Sequence, residues 1–113
     1  MTNIDETIRK YFDEWNEHIG KIPVLEDKLE LKKQILFDLQ QKEDAKIDYK
    51  VVYGYNNEKT RKAHYKKVLT AEYAEIEELE QEIDYYVRRI SFIKHRIQYL
   101  LILKGELNGR ISL

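Results

Sequence analysis

Residues 76–100 read IEELEQEIDYYVRRISFIKHRIQYL. Ile76, Leu79, Ile83, Tyr86, Ile90, Ile93, Ile97 and Leu100 follow one another in steps of 3, 4, 3, 4, 3, 4 and 3. An α-helix turns once in 3.6 residues, so this alternation lays all of them on one stripe. It is the pattern of a helix that buries a seam against another helix. Leu69 extends the seam backwards, and neither Gly nor Pro occurs between Glu58 and Lys104. One long helix over 57–104 is predicted, about 70 Å long if straight.

The N-terminal part carries the same period. Ile4, Ile8, Tyr11, Trp15, Ile22, Leu25, Leu29, Leu36 and Leu39 fall on a second seam, with His18 and Lys32 as polar members that complete the steps of 3 and 4. Phe12 and Ile19 widen it to one side. Thr2 or Asn3 can cap its start, and Asp5 and Glu6 suit the positive end of the helix dipole. Gly20 and Pro23 interrupt it, because proline lacks an N–H and its ring clashes with the carbonyl four residues back. The heptad phase continues across them. A kinked helix and two helices joined by a tight turn are both compatible with that, so the helical segment 3–44 is expected to be kinked or broken near Gly20–Pro23.

Beyond Leu39 the period fades. Ile47, Tyr49, Val51, Tyr53 and Tyr55 alternate with other residues, the signature of a short extended piece. A lone strand has nothing to pair with inside one chain. It would pair with its own copy or lie along the helices as a loop. Residues 45–56 are therefore expected to be irregular or extended. Gly54 and Asn56–Asn57 end the piece, Asn56 or Asn57 caps the following helix, and Gly105 and Gly109 lead into a loose tail over 105–113.

Two long heptad segments joined by a short connection make an all-α chain, expected to be one domain over 1–113: an antiparallel long-helix hairpin or coiled coil. A pair of helices leaves Leu101, Ile102 and Leu103 and the off-seam Phe92 and Tyr99 without cover. Self-association would bury them, so a homo-oligomer is expected. A three-helix monomer folded back at Pro23 is the competing arrangement.

Composition narrows function by exclusion. The chain has 113 residues and no Cys, which removes disulfides, thiol catalysis and thiolate zinc sites. Lys and Arg number 20 against 21 Asp and Glu, so no net field drives the whole molecule to nucleic acid or membrane. The N-terminus has no apolar signal core, and the most apolar run is far shorter than the roughly 20 residues that span a bilayer. A cytoplasmic protein without a membrane partner is the expectation. No Gly-rich phosphate loop or nucleophile elbow is present. Glu75, Glu78 and Glu82 share a helix face, but no Glu-x-x-His accompanies them as a di-metal bundle site requires. His18 has Glu14 one turn back, which alone makes no metal site. No enzyme, metal or cofactor is expected.

Charge is patterned along the long helix. Residues 59–67 carry Lys59, Arg61, Lys62, Lys66 and Lys67, residues 72–84 carry seven acids and no base, and residues 88–96 return to Arg88, Arg89, Lys94 and Arg96. Rim charges that guide helix pairing explain such a pattern. The first basic cluster also lies near a helix N-terminus, where anions are favoured, with His64 inside it. Tyrosines beside cations can stack bases while the cations hold phosphates, so Lys59, Arg61, Lys62, Tyr65, Lys66 and Lys67 are the candidate anion or nucleic-acid contacts. The candidate partner or oligomer surface comprises Tyr49, Tyr53 and Tyr55 in the connection together with Phe92, Tyr99, Leu101, Ile102 and Leu103.

The stretch Tyr53-Gly-Tyr-Asn-Asn-Glu-Lys-Thr-Arg61 runs straight into a Glu-rich and then Arg/Ile-rich helix. In this the chain resembles small uncharacterised coiled-coil proteins encoded in early, replication or recombination regions of phages and prophages of Gram-positive bacteria. There an Asn-Glu-x-x-Arg element, here Asn57, Glu58 and Arg61, opens the long C-terminal helix. The resemblance covers roughly residues 51–104. It implies a phage or prophage origin and a helical interaction role in the bacterial cytoplasm, and brings no reaction, cofactor or catalytic residue. The expected function is a non-enzymatic interaction protein that binds a host or phage replication-related protein as adaptor or inhibitor. The alternative is an accessory single-stranded DNA-binding protein of recombination or replication.

Overall fold

The computed structural model describes residues 3–47, 51, 52, 54 and 58–105. They are helical almost throughout: α1 covers Ile4–Lys46, α2 Glu58–Val68 and α3 Thr70–Lys104. Asn3 begins α1 as its N-cap, its Oδ1 accepting the Asp5 N–H at 2.8 Å. Asp5 and Glu6 follow in the first turn, where the free N–H groups favour negative charge. Gly105 ends α3 with a φ of 85° and donates its N–H to the Ile102 carbonyl at 3.0 Å. A residue with a β-carbon would be strained in that left-handed conformation.

α1 is continuous through Gly20 and Pro23, so the arrangement of two helices joined at a turn does not occur. The reason lies in the seam. Pro23 itself is exposed, while Ile22 beside it is half-buried and Leu25 two residues on is buried. Burying such side chains contributes about 1.5–3 kcal/mol each, enough to offset the roughly 3 kcal/mol by which an interior proline weakens a helix. The carbonyl that loses its helical donor belongs to Ile19, itself on an exposed position open to water.

The single helix expected over 57–104 is interrupted at Leu69. The Thr70 hydroxyl donates to the carbonyls of Lys66 at 2.8 Å and Lys67 at 3.1 Å. A threonine hydroxyl that bonds back to the preceding turn competes with the backbone ladder and bends it. The seam is not lost, since Leu69 is buried and backbone bonds link Leu69 to Tyr65 and Tyr73 to Leu69. Of the alternating stretch at 47–55, Ile47 lies outside any regular element, while Val51 and Val52 are helical and exposed. The extended piece is therefore not seen there among the described residues. Tyr49, Tyr53 and Tyr55 lie outside them, as do Asn56, Asn57 and the tail beyond Gly105.

Contacts divide the chain into two units, one formed by the segments up to Leu25 and from Glu82, the other by Glu26–Gln81. The first unit has a core of Ile8, Ile93, Ile97 and Leu100, with Ile4, Tyr11, Trp15 and Leu101 packed against it. Ile93 and Ile97 are fully buried. Polar contacts join the same two helices: Asp5 to Lys104, Glu14 to Arg89, and the His18 ring to the Tyr86 ring at 5.0 Å. In the second unit Leu69, Ile76 and His64 are buried. There Lys32 pairs with Glu75 at 2.7 Å, Gln40 donates to the Tyr73 hydroxyl at 2.7 Å, and Tyr65 donates to Asp44.

Candidate functional site

Beside the α3 seam runs a second row at the same spacing: Tyr85, Arg89, Phe92, Arg96, Tyr99 and Leu103, in steps of 4, 3, 4, 3 and 4. Its apolar members face outward, with Tyr85 59% exposed, Phe92 46%, Tyr99 50% and Leu103 57%. The arginines lie across the rings. Arg89 sits 4.8 Å from the Phe92 centroid and Arg96 5.3 Å from that of Tyr99, the cation–π geometry in which a guanidinium lies on an aromatic face. Phe92 also meets Tyr11 edge to face at 6.4 Å. One turn back along α3, Glu82 and Tyr86 border a groove of about 390 Å³ that Gly20, Lys21, Val24 and Leu25 complete. Phe92 and Tyr99 stand out in the sequence as off-seam aromatics. Tyr85 and the row as a whole do not, because the cue is the seven-residue spacing of 85, 92 and 99, and the stronger seam masks it.

At the middle of this flank stands Glu14. Arg89 reaches it with two nitrogens, Nη2 to Oε1 at 3.0 Å and Nε to Oε2, and His18 Nε2 lies 3.0 Å from Oε2. Position 89 is legible as a rim residue, but its partner is not, because the offset between two helices is a tertiary quantity. His18 is buried on the seam, and its Nδ1 has no hydrogen-bond partner. The Arg89 hydrogen bonds, with a smaller part from His18, hold the Glu14 carboxyl well below its ordinary 4.5, at about 2, against the opposing effect of burial. The carboxylate is thus favoured in the folded chain. Its stabilisation is complete above pH 4.5 and is lost as pH falls from there towards 2. Both side chains are about a third exposed, so solvent screens the pair to about 1 kcal/mol. Glu14→Gln is expected to lower stability by about that amount at pH 7. Urea titrations at several pH values should also find the fall below pH 4.5 shallower than in the parent chain.

The other candidates fare unevenly. Leu101 is half-buried and packs against the core, whereas Ile102 is exposed. In the basic cluster Lys62 pairs with Glu58 at 3.1 Å. Tyr65 donates its hydroxyl to the Asp44 carboxylate at 2.6 and 2.7 Å, which ties the ring to α1. His64 does not join the cationic face. It is buried, with Nε2 3.4 Å from Glu43. Lys59, Lys62 and Lys66 line a shallow groove of about 470 Å³ together with Glu58 and Ala63. Arg61 and Lys67 are exposed beside it. Among the described residues no cluster of His, Asp and Glu is arranged to hold a metal ion, and no helix is long and apolar enough to cross a membrane. No family model, curated protein or solved structure matches this chain.

Proposed function

We propose that this chain is a non-enzymatic helical interaction protein that associates with copies of itself and docks on a protein partner, as adaptor or inhibitor. The observation that carries the reading is the exposed row Tyr85, Phe92, Tyr99 and Leu103 beside an already filled seam. Exposed apolar side chains gathered in one row mark interaction surfaces, whereas scattered ones need no explanation. Aromatic residues and arginine are also the types enriched at the centres of protein interfaces. We take the two helices of the first unit to be antiparallel, since early residues of α1 meet late residues of α3 in the order Asp5–Lys104, Glu14–Arg89, His18–Tyr86. A phage or prophage origin, with the partner drawn from host or phage replication machinery in the bacterial cytoplasm, rests on the resemblance around Asn57, Glu58 and Arg61.

The nucleic-acid alternative has one observation in its favour, the lysine-lined groove of α2. Against it, Glu58 lines the same groove and Tyr65 is tied to Asp44. The test is the mass of a Phe92→Ser/Tyr99→Ser variant by analytical ultracentrifugation. Loss of the parent's self-association at undiminished helicity is the expected result. A parent chain that stays monomeric at about 100 μM, or a variant of unchanged mass, would remove the surface from contention. Saturable, salt-sensitive binding of a labelled single-stranded oligonucleotide by the parent would move the assignment to the alternative.

A further inference from the structure

The charges on this flank have a symmetry of their own. Glu82, Arg89 and Arg96 are spaced by seven on α3, and Lys10, Glu17 and Val24 by seven on α1. Val24 and Glu82 line one groove and Glu14 pairs with Arg89, so both series border the same side of the first unit. On α3 the acid Glu82 and the base Arg96 lie seven residues either side of Arg89. On α1 the base Lys10 and the acid Glu17 lie four before and three after Glu14. Arg89 is thus the centre of the α3 series, and the midpoint between Lys10 and Glu17 falls beside Glu14, the residue that Arg89 touches. Lys10, Glu82 and Arg96 make no ion pair among the described residues, while Glu17 pairs with Lys21 at 3.1 Å.

We infer that two copies of this chain pair through this flank about a two-fold axis passing at the Glu14–Arg89 pair, each α3 against the other α3 and each α1 against the other α1. The inference rests on the self-association proposed above and adds the surface and its symmetry. A two-fold axis at that level, perpendicular to the helices, sets Glu82 opposite Arg96 of the other copy, twice over. It likewise sets Lys10 opposite Glu17 of the other copy. An isologous interface must complement itself in this way. The same axis sets Arg89 against Arg89 of the other copy, each neutralised by its own Glu14, whereas a two-fold beside Phe92 would match aromatic to aromatic but set Arg96 against Arg89 and leave Glu82 without the other copy's Arg96. At the favoured level the groove at Glu82 and Tyr86 receives the other copy's Arg96 with the Tyr99 ring stacked on it. The groove's volume of about 390 Å³ has room for both.

Charge reversal tests the arrangement by sedimentation equilibrium, with circular dichroism as a check on folding. Glu82→Arg and Arg96→Glu are each expected to weaken dimerisation about tenfold or more, because each turns two symmetric attractions into repulsions. The double variant Glu82→Arg/Arg96→Glu restores both pairs with exchanged signs and should return the dissociation constant to within about threefold of the parent. A dimer indifferent to the single reversals, singles not rescued by the double, or a trimer or larger assembly would overturn the inference and leave self-association standing. A parent chain monomeric throughout would overturn both.

Discussion

An Ile93→Ala variant is expected to lose about 3 kcal/mol of unfolding free energy, measured by urea titration. Ile93 is fully buried among Ile8, Ile97 and Leu100. Deleting its outer carbons forfeits their transfer energy and leaves a cavity that helices held on both sides can only partly close. Domains of this size unfold with about 5–15 kcal/mol in all, so one substitution would remove a large fraction. The contrast is Val87 on the same helix, half exposed, where the same truncation should stay within about 0.5 kcal/mol. A loss below about 1 kcal/mol at Ile93 would mean that the first unit lacks a packed core.

The second large effect has the opposite sign. Pro23→Ala is expected to stabilise the chain by about 2–3 kcal/mol. The helix already runs through this position, and the side chain faces solvent, so no packing is lost. Alanine restores the N–H that can donate to the Ile19 carbonyl and removes the ring that crowds it. Calorimetry should register a melting temperature higher by about 8–24 °C, since about 1 kcal/mol moves a domain of this size by roughly 4–8 °C. An unchanged or lowered melting temperature would show that the proline is matched to a bend that alanine cannot follow.

How far the sequence carries this fold depends on which interactions repeat. Every seam position read on α1, from Ile4 to Leu39 and including His18 and Lys32, is buried or half-buried. So is every seam position read on α3 and at Leu69. Off-seam apolar residues such as Ile19, Val24, Leu31 and Phe37 are exposed. A repeated pattern sums many weak preferences and so survives a single strong breaker such as Pro23. Features set by one side chain are harder to read. The interruption at Leu69 depends on the Thr70 hydroxyl choosing the Lys66 carbonyl. The inward turn of His64 towards Glu43, and the tie of Tyr65 to Asp44, depend on where α1 lies beside α2, which no local pattern encodes. At the candidate site, Phe92 and Tyr99 are visible as surplus aromatics, whereas the grouping of Tyr86, Glu82 and Lys21 around one groove is not.

A heptad seam is nearly indifferent to sliding. Moving one helix past the other by seven residues restores apolar against apolar, and the translational degeneracy must be lifted by something that does not repeat. His18 does this in the first unit. A slide by seven would set its ring against Ile93 or Leu79 in place of Tyr86, burying an imidazole against an aliphatic side chain. A polar member of the seam thus acts as a fiducial mark. It adds little to the depth of the native well, and it deepens the gap that separates that well from its translated images.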